Sequence, residues 1–216
     1  MRIQALTVGP FQENTFLLVD EAAPGGPAAV LIDPGDEGDR LVAAVRASGA
    51  TLEAIWLTHA HLDHVGGIAR LRREWTVPIF LHPLERPLYD RAAMQAAVYG
   101  LPFDPPPAPD RDLAEGDRLT VGSLDFDVMH TPGHAPGLVV IHGHGVAFVG
   151  DLVFAGSIGR TDLPLADAPA MVRSLDRLST LAADTVLYPG HGPSTTLARE
   201  RAENPFLNGM ASVIGG

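Results

Sequence analysis

Glycine and proline interrupt this chain so often that neither a long helix nor a long strand fits between them. The 216 residues include 23 glycines and 19 prolines. Both types end regular structure, proline because it lacks an amide hydrogen and glycine because of its backbone entropy. Short segments rich in branched apolar residues alternate with segments that have the periodicity of an amphipathic helix. Because this alternation occurs in both halves of the chain, it predicts a layered α/β fold.

The predicted elements are short, and a proline-rich segment lies among them. The segment 101–110 contains five prolines and must therefore be extended. It is either an interdomain linker or a stiff loop over a site, and we favour the loop. The predicted strands are Ile3–Val8, Asn14–Val19, Ala29–Ile32, Ala54–Leu57, Ile79–Leu81, Asp117–Val121, Leu124–Met129, Leu138–Ile141, Val146–Val149 and Thr185–Leu187. The predicted helices are Asp39–Ser48, Val65–Glu74, Leu84–Val98, Ala168–Leu181 and Thr195–Arg201.

The overall charge and the missing residue types exclude several classes of protein. Fifteen basic and 26 acidic residues give a net charge of −11, which argues against nucleic acid or an anionic membrane as the partner. Without cysteine the chain has no disulfide, thiolate nucleophile or thiolate metal ligand. The N-terminus lacks the pattern of a signal peptide, and no segment approaches the roughly 18 apolar residues of a membrane span. We therefore expect a cytoplasmic protein with a single domain over residues 1–216.

Histidine and aspartate concentrate in one short segment between a predicted strand and a predicted helix. His59, His61, Asp63 and His64 all lie there. On an extended chain, residues two apart face the same side, so His59 and His61 can converge on one point. Asp63 and His64 lie where the chain turns into the helix and can face a neighbouring point. Imidazole and carboxylate groups suit zinc, iron or manganese. A helix cap and scattered surface histidines are the ordinary alternative, and they explain this clustering poorly.

Three later segments place ligand-type residues at the ends of predicted strands, next to glycine or proline. They carry His134, Asp151 and His191. Strand ends are where α/β folds assemble their sites. With the first cluster these residues make five histidines and two aspartates. Such a set suits either two cations bridged by one carboxylate or one cation with spare groups around it.

Taken together, these motifs resemble the signature of the metallo-β-lactamase superfamily, and the resemblance spans nearly the whole chain. It implies an αββα four-layer sandwich, with two mixed β-sheets flanked by helices. It also implies one metal site at His59, His61 and His134, a second at Asp63, His64 and His191, and Asp151 as the bridge between them. The segments that carry the resemblance are 58–67, 131–137, 150–151 and 189–192, with 32–35 as the early strand-end motif.

Within the superfamily, the segments 150–154, 159–162 and 204–207 most resemble the compact bacterial branch of the glyoxalase II group. This implies a hydrolase of thioesters, such as S-D-lactoylglutathione or a related acyl thiol, with two divalent metal ions (Zn, or Fe or Mn) that share an activated water. Asp63 would orient the water as well as act as a ligand. Full-length glyoxalase II has a helical domain after its last histidine ligand, whereas 25 residues follow His191 here. The identity of the thiol therefore stays open.

Other branches of the superfamily match less well, with one exception. β-Lactamases of the main subclasses use a cysteine ligand, and the remaining subclass lacks the bridging aspartate that Asp151 would provide. The exception is the persulfide dioxygenases, which would hold a single non-haem iron on His59, His134 and Asp151. We keep that oxidoreductase as the alternative function.

Two further residues have both a functional and an ordinary interpretation. Arg160 lies nine residues after Asp151, where the glyoxalase II pattern has a basic residue near a substrate carboxylate, so it is either an anion-binding group or a solvated loop arginine. Asp33 either orients a metal ligand or is a turn residue at the end of a strand. The expected partner is a small-molecule thioester, with no nucleic acid and no membrane.

Overall fold

A computed structural model describes residues 1–213 as an alternation of short strands and helices. The strands are β1 (Arg2–Val8), β2 (Glu13–Asp20), β3 (Ala28–Ile32), β4 (Thr51–Trp56), β5 (Ile79–Leu81), β6 (Arg111–Asp112), β7 (Arg118–Val121), β8 (Leu124–His130), β9 (Val139–Gly143), β10 (Val146–Gly150), β11 (Val153–Phe154), β12 (Ser157–Ile158), β13 (Val186–Pro189) and β14 (Thr195–Thr196). The helices are α1 (Gly38–Ser48), α2 (Leu62–Val65), α3 (Ile68–Arg72), α4 (Arg86–Tyr89), α5 (Ala92–Val98), α6 (Ala168–Leu178) and α7 (Leu197–Glu203), with a 3-10 turn at Pro83–Glu85.

The chain forms two compact units. The first contains residues 1–113 and 119–125, and the second contains residues 114–118 and the chain from 126 onward. Two six-stranded mixed sheets, with helices beside them, confirm the predicted fold class. The single domain over residues 1–216 stays a prediction. No helix within residues 1–213 has the length and apolar character needed to cross a membrane.

The sheet of the first unit brings the ends of two parallel strands together. Its order is β1-β2-β3-β4-β5-β6, with antiparallel pairing up to β3 and parallel pairing from β3 onward. β3 is apolar and buried throughout, as expected for a central strand covered on both faces, and β4 is so at every position except Thr51 and Glu53, which are exposed. Because parallel strands end at the same edge, the residues that follow β3 and β4, Asp33 and Thr58, become neighbours.

The other sheet, most of which belongs to the second unit, brings the carboxyl ends of three strands together. Its order is β14-β13-β10-β9-β8-β7. β8 and β10 both run antiparallel to β9, and β13 runs parallel to β10. The carboxyl ends of β8, β10 and β13 therefore share one edge of the sheet. The segments with His134, Asp151 and His191 follow those three strands.

Two predicted helices are wrong as continuous elements. The prediction Val65–Glu74 is replaced by α2 and α3, which are separated at Gly66 and Gly67. A Cβ on Gly66 would lie 2.5 Å from the carbonyl oxygen of Gly35. Because the two backbone segments are in contact, only glycine fits at position 66. The prediction Leu84–Val98 is replaced by the 3-10 turn, α4 and α5. The proline-rich segment has no regular structure over residues 101–109, as predicted.

Candidate metal centre

The loop after β4 gathers three histidine rings of the first unit. His59 precedes α2, His61 is the N-cap residue of α2 with extended backbone, and His64 lies within that helix. The ring centroids of His59 and His61 are 4.9 Å apart, and those of His59 and His64 are 4.0 Å apart. His59 and His64 are buried, whereas His61 is partly exposed. The extended segment and the short helix thus bring their imidazoles to one place.

Asp33 organises this loop from the end of β3. Its Oδ1 accepts the backbone N–H of Thr58 at 2.7 Å, and its Oδ2 accepts the Thr58 hydroxyl at 2.5 Å. The same Oδ2 lies 3.1 Å from Nδ1 of His64. Since a carboxylate can only accept, His64 carries its proton on Nδ1 and its lone pair on Nε2. Asp33 itself adopts a left-handed backbone, with φ of 48°, which aspartate tolerates better than most residues.

His59 is oriented through the same carboxylate. Its Nδ1 lies 3.1 Å from the Thr58 hydroxyl oxygen. Because that hydroxyl donates its proton to Asp33, its oxygen accepts the proton on Nδ1 of His59. His59 and His64 therefore both keep the lone pair on Nε2, and both of these atoms are buried. Ligand atoms of Asp33, His59 and His64 all lie within 4.8 Å of one another.

Two buried glutamates that the sequence analysis did not single out also support this loop. Glu85, in the 3-10 turn, is fully buried and accepts the backbone N–H of Ala60 at 2.8 Å. Glu13, at the start of β2, has its Oε1 3.8 Å from Nδ1 of His64. Burial raises the pKa of the Glu13 carboxyl well above its ordinary value. The only sequence signal for either residue is an acidic side chain in a largely apolar segment.

Asp63 lies on the more open side of the loop. Its side chain is 17% exposed, and its Oδ2 is 4.0 Å from Nε2 of His64. The backbone at this point sits directly on the turn after β3. A Cβ on Gly35 would lie 1.8 Å from the carbonyl oxygen of Asp63. Position 35 therefore has to be glycine for the loop to take this path.

In the second unit, two histidines face one carboxylate oxygen. Nε2 of His134 is 3.4 Å, and Nε2 of His191 is 3.5 Å, from Oδ2 of Asp151. Parallel pairing of β10 and β13 brings Asp151 and His191 together, with the Gly190 N–H donating to the Gly150 carbonyl at 2.9 Å. His134 and Asp151 are buried, and His191 is partly exposed.

The donor chemistry of this group fits a divalent cation. Nδ1 of His134 lies 2.9 Å from the carbonyl oxygen of Arg160, and a carbonyl can only accept, so the proton is on Nδ1. Nε2 of the same ring faces Oδ2 of Asp151 at 3.4 Å. The lone pair of an imidazole nitrogen and that of a carboxylate oxygen repel each other at this distance unless a proton or a cation lies between them. Imidazole nitrogen and carboxylate oxygen are ordinary ligands of zinc, iron and manganese.

Arg160 lies next to this group but points to solvent. Its guanidinium makes a two-pronged ion pair with the carboxylate of Asp162, with both N–O distances at 2.8 Å. Both side chains are more than 60% exposed. The Arg160 side chain lowers the pKa of the Asp162 carboxyl through these hydrogen bonds. An anion that bound Arg160 would therefore compete with an aspartate of the same loop.

Known proteins are similar to this chain over most of its length. A sequence profile of the metallo-beta-lactamase superfamily matches residues 8–191. Hydroxyacylglutathione hydrolase GloC of Haemophilus influenzae is 37% identical over 213 residues, which cover 96% of this chain and 99% of that protein.

Two solved structures are similar over nearly the whole chain. TTHA1623 in a di-iron-bound form is 48% identical, with a TM-score of 0.86, and the match covers 94% of this chain and 100% of that one. The BLEG-1 B3 metallo-beta-lactamase is 35% identical, with a TM-score of 0.87, and the match covers 95% and 99%. Since the profile and the relatives extend along most of the sequence, this chain belongs to the metallo-beta-lactamase superfamily.

Proposed function

We propose that the protein is a metal-dependent thioester hydrolase that binds two divalent cations, zinc, iron or manganese. Two observations support the ligand set: the oriented imidazoles of the first unit, and the convergence of two Nε2 atoms on Asp151 in the second. The solved di-iron form of TTHA1623 supports the number of cations. The proposed ligands are His59, His61 and His134 for one cation, Asp63, His64 and His191 for the other, and Asp151 as the bridge.

The hydrogen bond between His64 and Asp33 is the observation that carries the proposal. It holds the ring of His64 at 3.1 Å from the carboxylate and places Nε2 near Asp63. A single iron on His59, His134 and Asp151 does not need another imidazole that is oriented in this way. A centre with two cations uses it as a ligand.

In the proposed reaction, the cations would activate the water and the carbonyl group, and side chains of the protein would orient the water and the metal ligands. When bound, the two cations would lower the pKa of a water molecule and stabilise the charge that develops on the thioester carbonyl oxygen. Asp63, partly exposed beside His64, can accept a hydrogen bond from the attacking water and fix its direction. Asp33 keeps His59 and His64 in the tautomer that presents Nε2. The departing thiolate is a good leaving group, so the reaction requires no strong general acid.

The proposed substrate is a small acyl thioester, such as S-D-lactoylglutathione, which would give a hydroxy acid and a thiol. The name of the relative GloC supports this class. The net charge of −11 supports a small molecule over nucleic acid or an anionic membrane. A cytoplasmic location is part of the same proposal.

Thioester absorbance and oxygen concentration, followed together, test the function. We expect enzyme loaded with zinc, iron or manganese to cleave S-D-lactoylglutathione without oxygen uptake. The second candidate, an iron persulfide dioxygenase on His59, His134 and Asp151, predicts oxygen uptake with glutathione persulfide and no thioester loss. Because one similar structure is a B3 metallo-beta-lactamase, a chromogenic β-lactam is the third substrate. Turnover of the β-lactam alone would also contradict the proposal.

A further inference from the structure

A cavity of about 210 Å³ opens beside Asp63, entirely within the first unit. It lies between the tip of the β1–β2 hairpin, the start of α2 and the proline-rich segment. The side chains that define its apolar walls are Val8, Phe11, Leu62, Leu101, Pro102 and Phe103.

Both walls of the cavity are held in place by contacts outside it. Phe11 packs edge-on against Tyr99 at the end of α5, with ring centroids 5.3 Å apart. In the proline-rich segment, the Tyr89 hydroxyl donates to the Pro107 carbonyl at 2.8 Å, and Arg73 forms an ion pair with Asp104. A cavity whose walls are fixed before a ligand arrives loses less conformational entropy when the ligand binds, and most small-molecule sites are of this kind.

Gly66 and Phe103 are neighbours in the lining of the cavity. A Cβ on Gly66 would lie 3.4 Å from Cε2 of Phe103. The aromatic ring therefore lies against bare backbone close to Asp63. This brings the apolar wall to the residue that we propose as a ligand and as the group that orients water.

The charged groups around the cavity are acidic. Asp36, Asp63 and Asp104 contribute to its lining, and no lysine, arginine or histidine does so among the described residues. Asp104 is paired with Arg73, and Asp63 is a proposed ligand of a cation, so the selection against an anion rests on desolvation. A carboxylate inside the cavity would lose its hydration, and no basic side chain of the described lining would replace it. The geometry and the charges thus favour an occupant that is apolar and uncharged.

We propose that this cavity binds the acyl group of the substrate and selects uncharged, apolar acyl chains over anionic ones. The inference rests on the proposed function, because it places the thioester carbonyl next to Asp63. It adds an order of preference among acyl groups, apolar over anionic, which the ligand set does not specify.

Acyl thioesters of N-acetylcysteamine provide the kinetic test. Hexanoyl is longer than acetyl by four methylene groups. Since one methylene that is fully buried in an apolar pocket contributes a factor of about ten, kcat/KM should rise at least roughly tenfold even if only one of the four is fully buried. Succinyl has a carboxylate where butanoyl has a methyl group, and it should be hydrolysed at least about tenfold less efficiently than butanoyl. Phe103→Ala should reduce the hexanoyl-to-acetyl ratio to near one, and Phe103→Leu should restore most of it. Met94→Ala, on an exposed residue of α5 outside the cavity, should leave the ratio unchanged.

A second series identifies which half of the substrate enters the cavity. With the acyl group kept as acetyl, the thiol is lengthened from ethanethiol to hexanethiol. If Phe103→Ala changes the chain-length effect in this thiol series and not in the acyl series, the proposal is wrong as stated. An equal rate for succinyl and butanoyl would also overturn it.

A binding measurement separates failure of this inference from failure of the proposed function. Non-hydrolysable S-alkyl thioethers of N-acetylcysteamine are titrated by calorimetry into the wild type and Phe103→Ala. Affinity that rises with alkyl length only in the wild type supports the cavity, even if no thioester is cleaved. Affinity independent of alkyl length, or unaffected by Phe103→Ala, would refute it, even if thioesters are cleaved.

Discussion

His64 is the residue that best separates a centre with two cations from a centre with one. Its ring is buried, its Nδ1 is held by Asp33, and its Nε2 lies near Asp63. We expect His64→Ala to reduce the metal content from about two to about one per chain and to lower thioesterase activity by orders of magnitude, because the water loses one of its two activating cations. Metal analysis and initial rates on the same sample measure both effects.

His134→Ala is the matched control for this experiment. Its Nε2 faces Asp151 at 3.4 Å, and it is a ligand in both the two-cation and the single-iron interpretations. The change should therefore be severe in either case. Unchanged metal content and full thioester turnover in His64→Ala would contradict the centre with two cations.

Arg160 tests whether a charged group outside the cavity contributes to substrate binding. We expect Arg160→Ala to raise KM for thioesters with a carboxylate on the thiol, with kcat nearly unchanged, because a contact of equal strength in the ground and transition states affects KM alone. The guanidinium is exposed and already paired with Asp162, so the effect should be near the lower end for ion contacts, roughly fivefold.

Asp162→Asn is the companion variant for Arg160. It removes the competing carboxylate and should lower the same KM. Steady-state kinetics with glutathione and N-acetylcysteamine thioesters give both comparisons. Arg160 is only a solvated loop arginine if neither variant changes KM for any anionic thioester.

At the scale of elements, the helix α7 and its C-cap residue Asn204 are hydrogen-bonded to the β11–β12 hairpin, which precedes Gly159 and Arg160. The Nδ2 group of Asn204 donates to the Ser157 carbonyl at 2.9 Å and to Oε2 of Glu200 at 2.9 Å. Glu200, which is buried, also accepts the Gly156 N–H at 2.8 Å. Helix and hairpin are thus joined through one buried carboxylate and one amide.

We expect Asn204→Ala to destabilise the protein by about 2–3 kcal/mol, because a buried carboxylate loses a donor. Chemical denaturation measures this loss. Asn208→Ala is the control. Its two side-chain hydrogen bonds, to Ala202 and Met210, are exposed to solvent, so the change should cost less than about 1 kcal/mol. Equal stability of the two variants would show that the contact between α7 and the hairpin is not important for folding.

The elements also show where local sequence patterns stop being informative. The strands β3 and β4 could be predicted because each contains a short apolar run. The helix α1 could be predicted because its apolar residues recur with helical spacing and Gly49 ends it. The break between α2 and α3 could not, because its cause is the approach of Gly66 to Gly35, which is distant in sequence. The two-residue strands β6, β11, β12 and β14 are too short to leave any periodic signal.

On the scale of the whole molecule, the candidate ligands were visible in the sequence because metal binding requires particular residue types next to strand ends. The residues that support the loop of these ligands could not be predicted from the sequence. Glu85 reaches Ala60 over 25 positions, and Glu13 reaches His64 from the start of β2. Nothing in the local sequence around either glutamate shows that contact. Such residues become predictable only when the order of strands in the sheet is known.

Metal removal is the test that involves the whole molecule, since the proposed ligands come from β-strand ends in both sheets. Cations that bind only the folded chain stabilise it by about 2.7 kcal/mol per site at a hundredfold excess over Kd. For a chain of this size, that should shift the thermal midpoint by about 5–10 °C per site. We expect treatment with a chelator to lower the midpoint, and added zinc to restore it. His64→Ala should show roughly half of the shift, and Met94→Ala the full shift. Equal midpoints with and without metal in the wild type would contradict the proposed centre, whatever the activity.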